Sequence, residues 1–217
     1  MNAAEFVDLL GPEPEWMTCA HCGTQTMRKL CFACQKAKDA ADEAKEDEVL
    51  CGIPKVFSYA VRGTSALRLA VKSGRDLDTL EQSVLQAPRV FLAGAAASGK
   101  TSLAVACLRE HMPRCLFVRA ERLAKAPIEH KAGDGEAPLV RQAKGVKVLL
   151  LDDLGTDPVT ATSAVRDVVF ERFDRGLPTW ITSGLSREQV VATYGTGFAR
   201  RALGEGAFAI RLGTSPQ

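Results

Sequence analysis

The chain has 217 residues, 46% of them hydrophobic, with 28 Lys/Arg against 26 Asp/Glu and seven cysteines. That length suits one ordinary domain with a small appendage, no apolar run approaches the roughly twenty residues of a membrane span, and the start lacks the basic residues of a secretory signal. The expectation is a cytoplasmic protein with no membrane partner, in which an odd cysteine count with two Cys-x-x-Cys pairs favours metal over disulfide.

Charge is unevenly placed. Residues 1–50 hold five Lys/Arg and ten Asp/Glu, a net of −5, and the rest hold 23 against 16, a net of +7. The later part is therefore the place where nucleic acid would sit, although a generally charged surface accounts for the excess as well.

Residues 6–10 form a short amphipathic start, broken by Gly11-Pro12, that reads as a loose terminus or a small partner-binding segment. Cys19-Ala20-His21-Cys22 and Cys31-Phe32-Ala33-Cys34 follow, with eight residues between. Each pair turns two thiolates to one point, and four complete the closed tetrahedron of a structural Zn²⁺ site. The spacing suits two short knuckles on a β-hairpin. His21 lies inside the first pair and reads as a bystander, and a redox Cys-x-x-Cys does not explain why there are two. Cys51, Cys107 and Cys115 are left free.

From Gln35 to Val49 the run is rich in Ala, Lys, Glu and Asp with no apolar stripe, which predicts a solvated helical linker. Gly52-Ile53-Pro54 ends it, so the expected division is a module at 1–50 and a core at 51–217. Val56, Phe57, Tyr59 and Val61 suggest an extended piece. Leu77, Leu80, Val84 and Leu85 share one face of a helix that ends before Pro88.

The stretch that organises the chain comes next: apolar Val90-Phe91-Leu92-Ala93, then Gly94-Ala95-Ala96-Ala97-Ser98-Gly99-Lys100-Thr101-Ser102. G-x-x-x-x-G-K-T between a strand and a helix is a phosphate loop. Gly94 and Gly99 permit close backbone approach, and the helix start turns free N–H groups toward phosphates. Lys100 would reach the β- and γ-phosphates of ATP, and the Thr101 hydroxyl would hold Mg²⁺.

Beyond the loop the chain alternates as an α/β sheet requires. With strands at 89–93, 115–119, 146–151, 179–183 and 208–212, the expected fold is a five-stranded parallel sheet. Helices are expected near 102–111, 136–144, 159–174, 186–194 and 197–203. The buried run Val148-Leu149-Leu150-Leu151 ends in Asp152-Asp153, which places Asp152 in the Mg²⁺ shell and Asp153 against the attacking water. Trp180-Ile181-Thr182-Ser183-Gly184 ends a further strand, and Arg200-Arg201 sits on a late helix. Between Ala120 and Lys147 the chain is longer than a connection needs and carries Arg122, Lys125, His130, Lys131, Arg141 and Lys144, a row of cations suited to a phosphate backbone in which Lys125, Lys131 and Lys144 are the candidate contacts, with no aromatic to stack on bases. An ordinary solvated loop is the other reading.

The glycine-lysine loop, Leu149-Leu150-Leu151-Asp152-Asp153-Leu154-Gly155, Ile181-Thr182-Ser183-Gly184-Leu185-Ser186, Tyr194-Gly195 and Arg201 together resemble the DnaC/IstB family of AAA+ ATPases. The four-cysteine module, the linker and Gly52-Ile53-Pro54 resemble its helicase-loader branch. The resemblance implies an AAA+ core without a helical lid, ATP binding, side-by-side self-association through the ATP interface, single-stranded DNA and a hexameric replicative DNA helicase as partners, and DNA contacts from the insertion that carries the lysines. Arg201 matches the trans-acting arginine finger. Gly184 stands where the family often has Asn, and Gly195-Thr196-Gly197 where it has Gly-Asp-Arg. Sensing then falls to Ser183 or Thr182, and slow hydrolysis is implied. The alternatives are an IstB-like transposition helper, a zinc adaptor switched by ATP, and a small-molecule kinase, for which no acceptor site is visible.

Overall fold

The computed structural model describes residues 16–131, 133–157 and 162–213; the amphipathic start at 6–10 and the first residues of the helix expected at 159–174 lie outside them. The chain divides into two compact units, Met1–Glu46 and Asp47–Gln217.

In the first unit β1 (Met17–Thr18) pairs antiparallel with β2 (Gln25–Thr26), Met17 opposite Thr26. Gly23, at φ 75°, makes the tight return, and its N–H reaches the Cys19 carbonyl at 3.0 Å. Only the first cysteine pair sits on this hairpin. The second opens helix α1 (Phe32–Leu50), whose Ala/Lys/Glu composition carries helix back to Phe32, so the expectation of two hairpin knuckles is corrected. None of the α1 residues is buried, as a solvated helix requires.

In the second unit the extended piece expected near 56–61 is instead a 3₁₀ turn at Lys55–Phe57 followed by α2 (Ser65–Ala70), capped by the Thr64 hydroxyl, which accepts from the Leu67 N–H at 3.3 Å. A strand needs an open edge, and the nearest one is taken: the Phe117 N–H donates to the Cys51 carbonyl at 2.8 Å. Gly52 is required there, since a Cβ would lie 2.8 Å from the Phe117 carbonyl oxygen. Helix α3 (Leu77–Gln86) starts on an Asp76 cap and buries Leu77, Leu80 and Val84.

The core elements are β3 (Arg89–Gly94), α4 (Lys100–Leu108), β4 (Cys115–Arg119), α5 (Ala120–Glu129), α6 (Pro138–Gly145), β5 (Val148–Leu154), α7 (Thr162–Asp174), β6 (Thr179–Ser183), α8 (Arg187–Tyr194), α9 (Thr196–Leu203) and β7 (Ala207–Leu212). The strands form a five-stranded sheet in the order β4-β5-β6-β3-β7, every pairing parallel. Helix α5 has no counterpart in the sequence reading, because Pro127 and an outward row of charges obscure the face on which Leu123 and Ala124 are buried.

Alternation along the strands splits the core in two. Val90, Leu92, Cys115, Phe117, Val148, Leu150 and Trp180 pack with α4 on one face; Phe91, Leu149, Leu151 and Ile181 pack with α5, α7, α8 and α9 on the other. Arg172, fully buried on α7, donates to the carbonyls of Ala143 (2.9 Å), Val146 (2.7 Å) and Pro178 (2.5 Å) and to the Thr179 hydroxyl (2.9 Å). It ties the end of α6 to the start of β6, and burial pushes its guanidinium down to about 10.

Candidate functional site

A parallel sheet delivers the carboxyl ends of its strands to one edge, where ligands of open α/β folds bind. Here that edge gathers the 94–102 loop after β3, the acid pair of β5 and the end of β6. Both loop glycines are sterically necessary. Gly94, at φ 142°, would place a Cβ 2.2 Å from the Leu212 carbonyl oxygen; Gly99, at φ 87°, would place one 2.4 Å from the Ala70 carbonyl oxygen. Ala97 holds φ 57° without being glycine, a strained crest flanked by exposed Ala95 and Ala96.

Lys100 is 7% exposed and folds its ammonium onto the loop carbonyls, Nζ to Gly94 O at 3.0 Å and to Ala95 O at 2.7 Å. Burial lowers its pKa. The Thr101 hydroxyl donates to Asp152 Oδ1 at 2.7 Å. Among the described residues Ser98 Oγ is buried with no partner, while the Ser98 carbonyl accepts from the Lys72 N–H at 3.1 Å and Ser102 Oγ meets the Tyr59 hydroxyl at 2.8 Å. The small residues, the orphan hydroxyl and the inward ammonium fit a phosphate chain, and Thr101 with Asp152 fits Mg²⁺.

Asp152 and Asp153 part company through a register shift between Leu151 and Leu154, where β5 slips against β6. Such an irregularity re-aims side chains next to active sites. Asp152 is 2% exposed, and burial raises its pKa, whereas Asp153 sits at φ 55° and is exposed. Both hang on Thr182, whose hydroxyl donates to Asp152 Oδ1 at 2.7 Å and accepts from the Asp153 N–H at 3.0 Å. Ser183 has no such place. Its hydroxyl donates to the Leu154 carbonyl at 2.6 Å and accepts from the Leu185 N–H at 3.0 Å, so of the two candidate sensing residues Thr182 is the one beside the acids.

Sequence reasoning also missed Asp157. It is buried, takes the Gly155 N–H at 3.2 Å and the Tyr194 hydroxyl on the same oxygen, and so joins the turn after β5 to α8. Tyr194 stacks on Phe198 of α9 at 4.8 Å.

The structure does not bring Arg201 to this chain's own loop. Its guanidinium lies over the Phe170 ring at 4.1 Å, with Asp174 at 3.7 Å, while Arg200 beside it is exposed. Of the three lysines, Lys125 pairs with Glu121 at 2.5 Å, and Lys144 pairs with Glu136 at 2.6 Å and Glu171 at 2.9 Å. Lys131 is exposed and has no ion pair among the described residues. The three lysines therefore do not form a free row.

In the first unit the sulfurs of Cys19, Cys22, Cys31 and Cys34 all lie within 4.8 Å of one another, Cys22 to Cys31 at 3.6 Å. Tetrahedral thiolates around zinc stand about 3.8 Å apart, given Zn–S bonds near 2.3 Å. The Cys31 N–H donates to Cys19 Sγ at 3.3 Å, and that contact, with the Cys22 and His21 amides, brings the Cys19 thiol down to about 6. Cys34 is pushed up to about 12 by Cys31 and Cys22, the crowding of sulfurs that a cation relieves. His21 is exposed and outside the cluster.

Parallel sheet, inserted strand β6 and glycine-lysine loop together give the AAA+ P-loop fold, preceded in the chain by a four-cysteine cluster. Solved structures share it. The DnaC helicase loader matches at 18% identity over 74% of this chain and 100% of its own, with a TM-score of 0.57. DnaI matches at 19% over 70% and 96%, TM-score 0.53. The replication initiator DnaA bound to AMPPCP and single-stranded DNA matches at 18%, TM-score 0.51, over 64% of this chain, which spans only 44% of that DnaA chain. No protein-family model and no curated protein matches the sequence. Among the described residues, no helix is long and apolar enough to cross a membrane.

Proposed function

We propose that this chain is an ATP-dependent loader of a replicative DNA helicase, binding ATP with Mg²⁺ at the 94–102 loop and single-stranded DNA and the helicase elsewhere on its surface. One observation carries the reading. Thr101, Asp152 and Thr182 form a continuous hydrogen-bonded set, so the loop helix, the acidic strand and the strand between them share one polar centre. Support for the loader role comes from likeness to the DnaC helicase loader over the whole of that chain, and for ATP and DNA from the DnaA complex.

In this reading Lys100 leaves the Gly94 and Ala95 carbonyls for phosphate oxygens. Thr101 and Asp152 would hold Mg²⁺, which supplies charge neutralisation at the phosphates. Asp153, exposed at the edge, orients water for attack on the γ-phosphate. Gly184 supplies no side chain to this centre, and slow turnover follows. Arg201 would act on a neighbouring copy's nucleotide only after leaving Phe170. Zinc on the four cysteines folds the first unit.

The test is a loading assay with the host's hexameric helicase and circular single-stranded DNA. Helicase recovered on DNA should depend on this chain and on ATP, and should be lost with Lys100→Ala. Equal recovery without the chain would overturn the proposal.

A further inference from the structure

Arg119 ends β4 at the functional edge. It is in register with Asp152 on the neighbouring strand, and parallel neighbours lie about 4.8 Å apart. Side chains at one register position leave a sheet on the same face. Phe117 and Cys115, two and four residues before Arg119, pack in the cluster that contains Val148, Leu150 and the phosphate-loop helix α4. Alternation therefore sends Arg119 out on the face that carries α4 and Asp152, past the last buried turn of that core.

Its side chain is exposed, and no residue among those described takes it as a hydrogen-bond or ion-pair partner. The nearest acid along the chain, Glu121, is engaged by Lys125. Lys100 on the loop and Asp152 and Asp153 on β5 lie at this edge, with Arg119 on the far side of the acids. A guanidinium has five donors in a fixed fork and meets phosphate oxygens in pairs. An anion anchored at the loop by Lys100 would find in Arg119 a second cation, on the opposite flank of the acid pair.

We propose that Arg119 is a cis-acting cation for the terminal phosphate of the bound nucleotide, and that it distinguishes the triphosphate from the diphosphate. The inference rests on the ATP reading and adds to it a residue supplied by the chain itself. It predicts that ATP-state recognition does not wait for an arginine from a neighbouring copy.

The experiment is calorimetric titration of the full chain with Mg²⁺ and AMPPCP or ADP, for wild type, Arg119→Ala and Arg119→Lys, with thermal melting as the folding control. Loss of one charge-assisted contact should weaken AMPPCP about tenfold and leave ADP unchanged; Arg119→Lys should recover part of the loss. Unchanged affinity for both, or equal weakening of both, overturns the inference while the ATP reading stands. A loss of single-stranded DNA affinity with nucleotide discrimination intact also overturns it and makes Arg119 a DNA contact. Failure of the wild type to bind either nucleotide removes the ATP reading itself, and this inference with it.

Discussion

Thr182 donates its hydroxyl proton to the same Asp152 oxygen, at 2.7 Å, that Thr101 of the loop helix reaches from the other side at 2.7 Å. One carboxylate oxygen thus joins two elements that are not adjacent in the chain. Thr182→Val keeps the volume and removes the link. Turnover should fall by about ten- to a hundredfold, since a misplaced acid pair costs positioning, with nucleotide affinity changed only a few-fold. Ser183→Ala is the contrast: it orphans the Leu185 N–H and should cost about 1–3 kcal/mol of stability with turnover nearly intact. Steady-state kinetics and melts on both variants decide, and the reverse pattern would return the sensing role to Ser183.

The four-cysteine cluster predicts one Zn²⁺ per chain. With too little core to fold unaided, residues 17–36 should lose structure on chelation while the second unit keeps its cooperative melt. A thiol reagent at neutral pH should count four new reactive groups after chelation. Cys107, whose thiol burial pushes up to about 12, and the buried Cys51 and Cys115 should react only on global unfolding. Metal analysis of reduced protein showing no zinc would end this account of the first unit.

His111 predicts an acid-side loss of stability. It is half-buried, Nε2 has no partner among the described residues, and its ring meets Trp180 edge-on at 5.4 Å. Burial lowers its pKa below the ordinary 6.5. The unfolded chain then binds this proton more readily than the folded one, so the group's contribution is intact above 6.5 and declines as pH falls through 6.5 toward the lowered value. His111→Gln should flatten the decline in core melting temperature over that window. An unchanged profile would assign the loss to other groups.

For single-stranded DNA the lysines should act unequally. Lys131→Ala removes an unpaired cation and should lower the salt slope of binding by about 0.7. Lys144→Ala breaks two ion pairs, one to Glu136 before α6 and one to Glu171 on α7, and should lower stability with little change in slope. An unaltered slope in the Lys125, Lys131 and Lys144 triple alanine variant would move the DNA site off this insertion.

The parts legible in the sequence were those whose residue types leave one arrangement open. Gly94, Gly99, Lys100 and Thr101 come in fixed spacing and the structure sets them between β3 and α4, and the four apolar residues before Asp152 form a buried strand. The pairing of Lys125 with Glu121 was not legible because helix α5 itself was not, and that of Lys144 because Glu136 and Glu171 reach it from separate stretches of chain. Thr182 and Ser183 were equivalent on paper, since strand alternation decides between them only once the register slip at Leu151/Leu154 is known. Arg172 gave no signal at all: one arginine on a helix looks like surface until the carbonyls of Ala143, Val146 and Pro178 converge on it. Val56 to Val61 misled in the other direction, because β-branched residues make a strand only where an edge is free.

The most direct measurement is calorimetric titration with Mg²⁺-ATP alongside phosphate release, for wild type, Lys100→Ala and Asp153→Asn. Lys100 is the residue proposed to contact ground-state phosphates, so its loss should abolish binding or weaken it by more than tenfold. Asp153 is exposed beside the centre, and Asp153→Asn should bind like wild type and release no phosphate. Equal loss of binding in both variants, or wild-type hydrolysis in Asp153→Asn, would contradict this division of labour and with it the account of the site.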